Sequence, residues 1–322
     1  MVAAMDEFGI IAEIFAPLAG EGSFGLTDDA AVIAARPGCD LVVTTDAIAE
    51  STDFFAFDPA DMVARKALRV NLSDLAAKGV TPHGYLLSIA LPPSITSDWL
   101  KNFAQGLARD QAEFAITLLG GDTARTEGPL SIAITAFGFV PEGRMIRRNG
   151  AKPGDGIYVT GTIGDSGGGL AIFKRETHAL TPAQRDLLIG RYRLPEPPVA
   201  FGTVLRAQAS SSVDVSDGLI ADLGHVGRAS GVKLVIDAAA IPRSDALRLF
   251  WGDSAAAILR AATAGDDYQI AFTASDHDAV MLAAKRASVT VTRIGRVEAG
   301  AGVDLMLDDR LLAVPQPGYR HF

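Results

Sequence analysis

Val70-Asn71-Leu72-Ser73-Asp74-Leu75-Ala76-Ala77-Lys78-Gly79 sets one carboxylate, Asp74, into a small and apolar stretch. Leu68, Leu72, Leu75 and Ala76 recur at helical spacing, which predicts an amphipathic helix over 61–79 with one face in a core. An aspartate beside such a face needs a partner, because an unpaired buried charge is costly or is neutralised by a shifted pKa. Taken alone, Asp74 reads as a cap or one half of a salt bridge. The rest of the chain changes that reading. Asp28-Asp29, Asp46, Asp122 and Asp214-x-x-Asp217 also stand in apolar or Gly-rich settings, at strand ends or helix starts. No matching basic residues accompany them. Mg²⁺ prefers oxygen ligands and bridges carboxylates to substrate phosphates, so the set points to a multi-metal phosphate site.

Outward from this helix, strands and helices alternate on both sides. Phe8, Ile11, Ile14, Phe15 and Leu18 form a stripe that predicts a helix over 6–18. Thr27 to Ile33 reads as a loop entering a strand, and Leu41 to Asp46 as a β-branched strand ending on an aspartate. Gly84 to Leu91 and Leu130 to Val140 read as strands. Residues 97–115 read as an amphipathic helix with Trp99, Leu100, Phe103, Leu107 and Phe114 inward. Ile116 to Leu119 is a strand entering a Gly120-Gly121-Asp122-Thr123 loop. The Gly- and Pro-containing stretch 141–156 is the expected connection between two domains.

Beyond it come a strand at Gly156–Thr160, a Gly-rich turn over Gly161–Gly169 and a helix from Leu170. A helix follows near 199–208, and another after Asp217 through His225. Strands are expected at 232–236, 268–273 and 289–296. The two halves share a strand, Asp-bearing loop and helix pattern, without an equal-period repeat. The fold class is a mixed α/β (α+β) two-domain fold, with domains at 1–145 and 146–322.

Composition bounds the function. The chain has 322 residues, 48% hydrophobic and 21% charged, a globular balance. Its net charge of −9 argues against broad nucleic-acid binding. A single cysteine, Cys39, fits a reducing compartment. The N-terminus carries Asp6 and Glu7 and no basic region, unlike a signal peptide. No apolar run approaches the ~20 residues of a membrane span. A cytoplasmic protein is expected.

Glycines support an anion site. Gly120-Gly121-Asp122 follows an apolar strand, where glycines let backbone N–H groups approach a phosphate. Gly161 to Gly169 has a similar look but lacks Gly-Lys-Ser/Thr, and close helix packing is its simpler reading. His178, His225 and His321 have no metal-ligand spacing to each other or to Cys39. Ser73, Ser166 and Ser216 sit in no Gly-x-Ser-x-Gly elbow. Arg147-Arg148 is a solvated basic pair or a phosphate contact.

These motifs resemble the thiamine-monophosphate kinase family, within the aminoimidazole-ribonucleotide-synthetase-like superfamily. The resemblance covers essentially the whole chain. It rests on Asp28-Asp29-Ala30-Ala31, Thr44-Thr45-Asp46, Lys66 to Ala77, Leu119 to Thr123 and Gly150 to Asp155. It continues through Val159 to Thr162 with Gly164-Asp165-Ser166, Asp214 to Leu219, Gly265-Asp266-Asp267-Tyr268, and the Gly318-Tyr319 and His321-Phe322 tail.

The resemblance implies a synthetase-like fold whose N-terminal domain binds ATP and Mg²⁺ and forms a homodimer through its β-sheet, with the active site between it and a C-terminal α/β domain. It implies ATP-dependent phosphorylation of thiamine monophosphate, with several Mg²⁺ ions. Asp29, Thr44, Thr45, Asp46, Asp74, Asp122, Asp214 and Asp217 match its Mg²⁺ ligands. Gly121, Asp122, Arg148 and Ser216 match ATP contacts, and Asp266 and Tyr319 match substrate contacts. No nucleic-acid or membrane partner is implied. Such a reaction starts from a phosphate oxygen nucleophile, so metal-assisted positioning replaces an acid–base pair.

The chain departs from the family pattern on the substrate side. Asp53, in Ser51-Thr52-Asp53-Phe54, stands where the family has a substrate-contacting histidine. Asp266 replaces a glutamate, and Thr27 a glycine. The rival readings are a sister enzyme that uses ATP on another small acceptor and a catalytically idle nucleotide-binding scaffold.

Overall fold

In the computed structural model, residues 7–176 and 179–320 are described. Asp6, His178, His321 and Phe322 lie outside them. The chain divides into two units. One holds the chain up to Leu75 together with Val80–Gly143, and the other holds Ala76–Gly79 and the chain from Arg144 onward.

The first unit opens with α1 (Glu7–Ile10), then π-helical Ile11–Phe15 and 3-10-helical Ala16–Leu18. The expected single helix is therefore broken. Its winding changes twice, so Phe8 falls off the stripe and is 77% exposed, while Ile14, Phe15 and Leu18 are buried. Next come β1 (Cys39–Ala49), α2 (Ala60–Ala77), β2 (Thr81–Leu91), α3 (Ser97–Phe114), β3 (Thr117–Arg125) and β4 (Ser131–Pro141). They form a four-stranded sheet ordered β1-β4-β2-β3. The β2 and β3 strands run parallel with α3 as their crossover, while β4 pairs antiparallel with both β1 and β2.

Leu68, Leu72 and Leu75 of α2 are fully buried, as their spacing predicts. Each such side chain contributes roughly 1.5–3 kcal/mol. The helix also buries polar side chains, each with a partner. Lys66 Nζ donates to the Asp53 carbonyl at 2.7 Å. Arg69 grips the buried Asp110 of α3 through Nε and Nη2, at 2.7 and 2.9 Å. The Arg69 guanidinium also lies 5.0 Å from the Phe114 ring.

Two expectations fail in this unit. Residues 27–33 form no strand, since Asp28 Oδ1 takes the Asp29 N–H at 2.8 Å and competes with ladder pairing. Gly120 to Thr123 lies inside β3, not in a loop. A β-bulge between Tyr85 and Leu86 admits Leu119 as an extra residue there. Gly121 is required within the strand: its φ is 155°, and a Cβ would lie 1.8 Å from the Leu87 carbonyl oxygen.

The second unit contains β5 (Gly156–Thr160), α4 (Asp165–Phe173), α5 (Pro182–Arg193), α6 (Val199–Leu205), β6 (Ser211–Asp214) and α7 (Leu219–Ser230). It continues with β7 (Lys233–Asp237), α8 (Asp245–Trp251), α9 (Ala255–Thr263), β8 (Ile270–Ala274) and α10 (His277–Arg286), and ends with β9 (Val291–Glu298), β10 (Gly302–Leu307) and β11 (Arg310–Leu312). The sheet is seven-stranded, ordered β11-β10-β7-β9-β5-β8-β6. Val213, Leu219, Leu223, Leu234, Ile236 and Ile294 lie in its main core. A smaller cluster joins α4, α5 and α8 through Ile172, Leu188, Leu247 and Phe250.

The Gly-rich stretch is helical from Asp165, earlier than expected. Gly164 starts it at φ 90°, and a Cβ on Gly169 would lie 2.2 Å from the Leu188 carbonyl oxygen. Close approach of α4 and α5 thus outweighs the ~1 kcal/mol that each helical glycine costs. Ala76–Gly79 is also tied into this unit. Ser212 Oγ donates to the Ala77 carbonyl, Lys78 Nζ to the Ser212 carbonyl at 2.7 Å and Arg206 Nη1 to the Gly79 carbonyl at 2.8 Å. Among the described residues, no helix is long and apolar enough to cross a membrane.

Candidate active site

In the first unit, strand alternation and helix spacing converge on one group. Thr44, Asp46 and Ile48 of β1 pair with Ala136, Ile134 and Ile132 of β4, so they share the sheet face that carries the buried side chains. Helix α2 borders that face of β1. Thr44 Oγ1 donates to Asp74 Oδ2 at 2.5 Å. The Asp46 N–H donates to Asn71 Oδ1 at 3.0 Å, and Asn71 Nδ2 donates back to the Ala67 carbonyl at 3.0 Å. Asn71 and Asp74, three apart, lie on one side of the helix. Asn71 is fully buried and sets the position of Asp46, a role that its place beside Asp74 does not announce.

The other predicted ligands of this unit stand apart. Thr45 takes the opposite face of β1, where Thr135 Oγ1 donates to its hydroxyl at 3.0 Å. Asp122 pairs with the exposed Ser88, whose row continues through Ala133 to Ala47. That row also lies on the face opposite Asp46. β3 is three strand spacings from β1, on the order of 14 Å, so Asp46 and Asp122 of one chain cannot share an ion. Asp29 lies in an exposed loop. Asp53 is turned to the backbone, its Oδ2 accepting the Ala49 N–H at 2.8 Å.

In the second unit, β6 ends on the buried Asp214, and a tight loop, Val215 to Gly218, leads into α7. Surrounding backbone clamps that loop. The Asp266 N–H donates to the Ser216 carbonyl at 2.7 Å, and the Tyr319 N–H to the Asp217 carbonyl at 2.8 Å. Both approaches depend on a preceding glycine. A Cβ on Gly265 would meet the Ser216 oxygen at 2.6 Å, and one on Gly318 the Asp217 oxygen at 2.3 Å. Ser216, Asp217, Asp266 and Tyr319 therefore gather around one loop, though Ser216 and Tyr319 lie far apart in sequence. Tyr268 Oη donates to Asp266 Oδ1 at 3.2 Å, and the Tyr319 side chain is half exposed.

Asp222, in the first turn of α7, was not among the candidates. Its Oδ2 accepts the N–H groups of Ser216, Asp217 and Gly218 at 3.1, 3.0 and 3.2 Å. An acid in a first helical turn, reaching back to the preceding loop, is the signal that marks it. Burial pushes its carboxyl up to about 7, helped by the Asp217 charge and opposed by the three N–H groups. Arg148 lies on the same side of this unit: with burial and Arg228 it holds the His225 imidazole below its usual value, while Asp217 raises it.

The donor set of Thr44, Asp46 and Asp74 is all oxygen. It suits a hard cation that takes one or two carboxylates and completes its shell with water and phosphate. Among the described residues, no group of three or more His, Cys, Asp or Glu is gathered to hold a metal ion by itself.

Residues 27–140 match the N-terminal domain of AIR synthase related proteins, and residues 152–308 match the C-terminal domain. Paired domains of this kind define the class. A thiamine-monophosphate kinase from Caulobacter vibrioides is 40% identical, covering 98% of this chain and 90% of the relative. The crystal structure of thiamine-monophosphate kinase from Stenotrophomonas maltophilia K279a superposes with a TM-score of 0.82 at 39% identity, over 89% of this chain and 91% of that one. The structure described as AaThiL complexed with AMPPCP and TMP gives a TM-score of 0.78 at 30% identity, over 99% and 97%. The chain belongs to the thiamine-monophosphate kinase family.

Proposed function

We propose that this protein transfers the terminal phosphoryl group of ATP to the phosphate of thiamine monophosphate, giving thiamine diphosphate. The observation that carries the reading is the Thr44, Asp46 and Asp74 group, an oxygen-only cluster of the kind that takes Mg²⁺ together with phosphates, in a chain of this family. Thr44, Asp46 and Asp74 hold one ion. Asp122, on the far edge strand, does not join this group within one chain. Asp29, Thr45, Asp214 and Asp217 are further Mg²⁺ ligands. Mg²⁺, when bound, supplies charge neutralisation between two polyanions.

The remaining roles belong to side chains and backbone. Gly121 lets the β3 backbone approach a phosphate, Ser216 offers a hydroxyl and Arg148 a guanidinium to ATP. Tyr319 presents an aromatic face to the cationic thiazolium, and Asp266 an acceptor to the same substrate. The acceptor is already a phosphate oxygen, so no side chain has to remove a proton from a neutral nucleophile. Asp53 is assigned to the turn rather than to substrate.

A homodimer is proposed through the first unit. Strand β1 is an edge strand, and Leu41 and Val43 are exposed along it, a surface suited to pairing with a second copy. The cytoplasm, where ATP is available, is the proposed compartment. The deciding experiment incubates purified protein with ATP, Mg²⁺ and thiamine monophosphate and measures thiamine diphosphate. Product that requires all three is expected. No product, with ATP binding intact, overturns the acceptor assignment, and no Mg²⁺-dependent nucleotide binding overturns the whole reading.

A further inference from the structure

Helix α7 carries one stripe that its core does not use. Leu219, Ile220, Leu223 and Val226 are buried, while Ala221, His225 and Arg228 follow one another on the opposite side at helical spacing, the last two exposed. The stripe joins two places already assigned to the reaction. At its start, a Cβ on Gly318 would lie 2.7 Å from the Ala221 Cβ, so the segment bearing Tyr319 packs on Ala221. At its end, Ser230 Oγ donates to the Arg148 carbonyl at 3.2 Å and accepts the Gly150 N–H at 3.1 Å, which ties the segment bearing Arg148 to α7. Along the helix, His225 therefore stands between the tyrosine assigned to substrate and the arginine assigned to ATP.

Arg228 fixes the imidazole. Its Nη2 lies 3.0 Å from His225 Nδ1. A guanidinium only donates, so Nδ1 is the acceptor and the ring proton sits on Nε2. Burial, Arg228 and Arg148 hold the imidazole below its usual pKa against the pull of Asp217, so the ring stays neutral at neutral pH and keeps this tautomer. A surface pair three residues apart commonly does no more than support its helix, and a carboxylate is the usual partner for that purpose. Here the pair joins a neutral donor to a positive patch. Among the described residues, neither Arg148 nor Arg228 makes an ion pair, and Nε2 has no hydrogen-bond partner. Two exposed guanidiniums and one N–H suit a phosphate.

We propose that His225 is a nucleotide-binding residue: its Nε2–H donates to a phosphate oxygen of the ATP that Arg148 holds, and Arg228 is the positioning residue that fixes the tautomer. The proposal rests on the assignment of Arg148 to ATP under the proposed function.

The test uses the intact protein and the non-hydrolysable nucleotide AMPPCP with Mg²⁺. Calorimetry of the wild type should show saturable binding, and His225→Ala should weaken it about tenfold. Glutamine sets its side-chain N–H groups where imidazole Nε2 stands, and asparagine sets its own where Nδ1 stands. His225→Gln should therefore stay within about threefold of the wild type, and His225→Asn should bind as weakly as His225→Ala. Support of α7 alone would not separate the two amides in this way. In turnover, His225→Ala should raise the KM for ATP by a similar factor and change the KM for thiamine monophosphate by less than about twofold. Thermal midpoints should stay close to that of the wild type, because the side chain is exposed. Wild-type affinity in His225→Ala, rescue by Asn as good as by Gln, or no binding of the Mg²⁺-nucleotide to the wild type would each overturn the assignment. A wild type that binds nucleotide and shows the Gln–Asn split but fails to phosphorylate thiamine monophosphate supports His225 and overturns the acceptor alone.

Discussion

The Thr44 hydroxyl donates to Asp74 Oδ2 across 2.5 Å and ties the edge strand β1 to helix α2 where both present candidate ligands. The bond orients the carboxylate without neutralising it, so its other lone pairs stay available to a cation.

Replacing Asp74 by Asn keeps its volume and its bond to Thr44 but removes the charge. Thiamine diphosphate formation is expected to fall by about 100-fold or more, the scale of losing one charge-stabilising group in a transition state. The thermal midpoint should move by no more than a few degrees. Near-normal turnover in this variant would remove Asp74 from the metal site.

Asp222 makes two expectations. Asp222→Ala strips the acceptor from three loop N–H groups and should destabilise the protein by about 1–3 kcal/mol, with Asp222→Asn milder because an acceptor remains. The second concerns pH, in metal-free protein. The folded-state value, pushed up to about 7, exceeds the unfolded value near ~4. The folded state therefore holds this proton more tightly. That contribution to stability is full below about pH 4 and is lost as pH rises through about 7. Chemical denaturation from pH 4 to 8 should show the wild type losing ground against Asp222→Asn over this window. Parallel profiles for the two proteins would contradict it.

Two glycines on neighbouring helices give opposite expectations. A Cβ on Gly169 meets the Leu188 carbonyl oxygen at 2.2 Å, whereas one on Gly190 meets nothing within 4 Å. Gly169→Ala should cost about 1–3 kcal/mol by overpacking. Gly190→Ala should gain up to ~1 kcal/mol from helix propensity. Urea midpoints of the two variants decide the matter, and a shared sign would refute the packing account of the Gly-rich stretch.

For Asp53, the bond to the Ala49 N–H predicts a turn role. Asp53→Asn should leave the KM for thiamine monophosphate within about twofold, because the acceptor persists. Asp53→Ala should cost ~1 kcal/mol of stability. A large KM change in the Asn variant with stability intact would return Asp53 to the substrate.

Local patterns carried much of this fold into view. The Leu68, Leu72 and Leu75 spacing gives α2, and the β-branched run at Leu41 to Thr45 gives β1. Asp46, Asp74 and Asp214 are readable because a carboxylate among apolar neighbours is conspicuous, although β1 does not end on Asp46 as expected but runs on to Ala49. What stays hidden depends on partners distant in sequence. Gly121 looks like a loop glycine until the Leu87 carbonyl is seen against it. Asp46 and Asp122 look equivalent until strand order places them on opposite edges and faces of the sheet. Helix α5 was within reach: Thr181 and Gln184 form a capping box at its start, a signal that hydrophobic spacing alone passes over. The bond of Asp53 to the Ala49 N–H was not, since it exists only in the folded turn.

Ala76–Gly79 has a further consequence, for how such a gene can be cut and rearranged. The second unit is written in two separate places, four residues at the end of α2 and the long segment from Arg144. A fragment begun at residue 144 would leave Ser212 and Arg206 without the carbonyls of Ala77 and Gly79. Recombination that swaps the C-terminal half alone therefore separates a folding unit from part of itself, and a viable exchange has to carry the α2 terminus along.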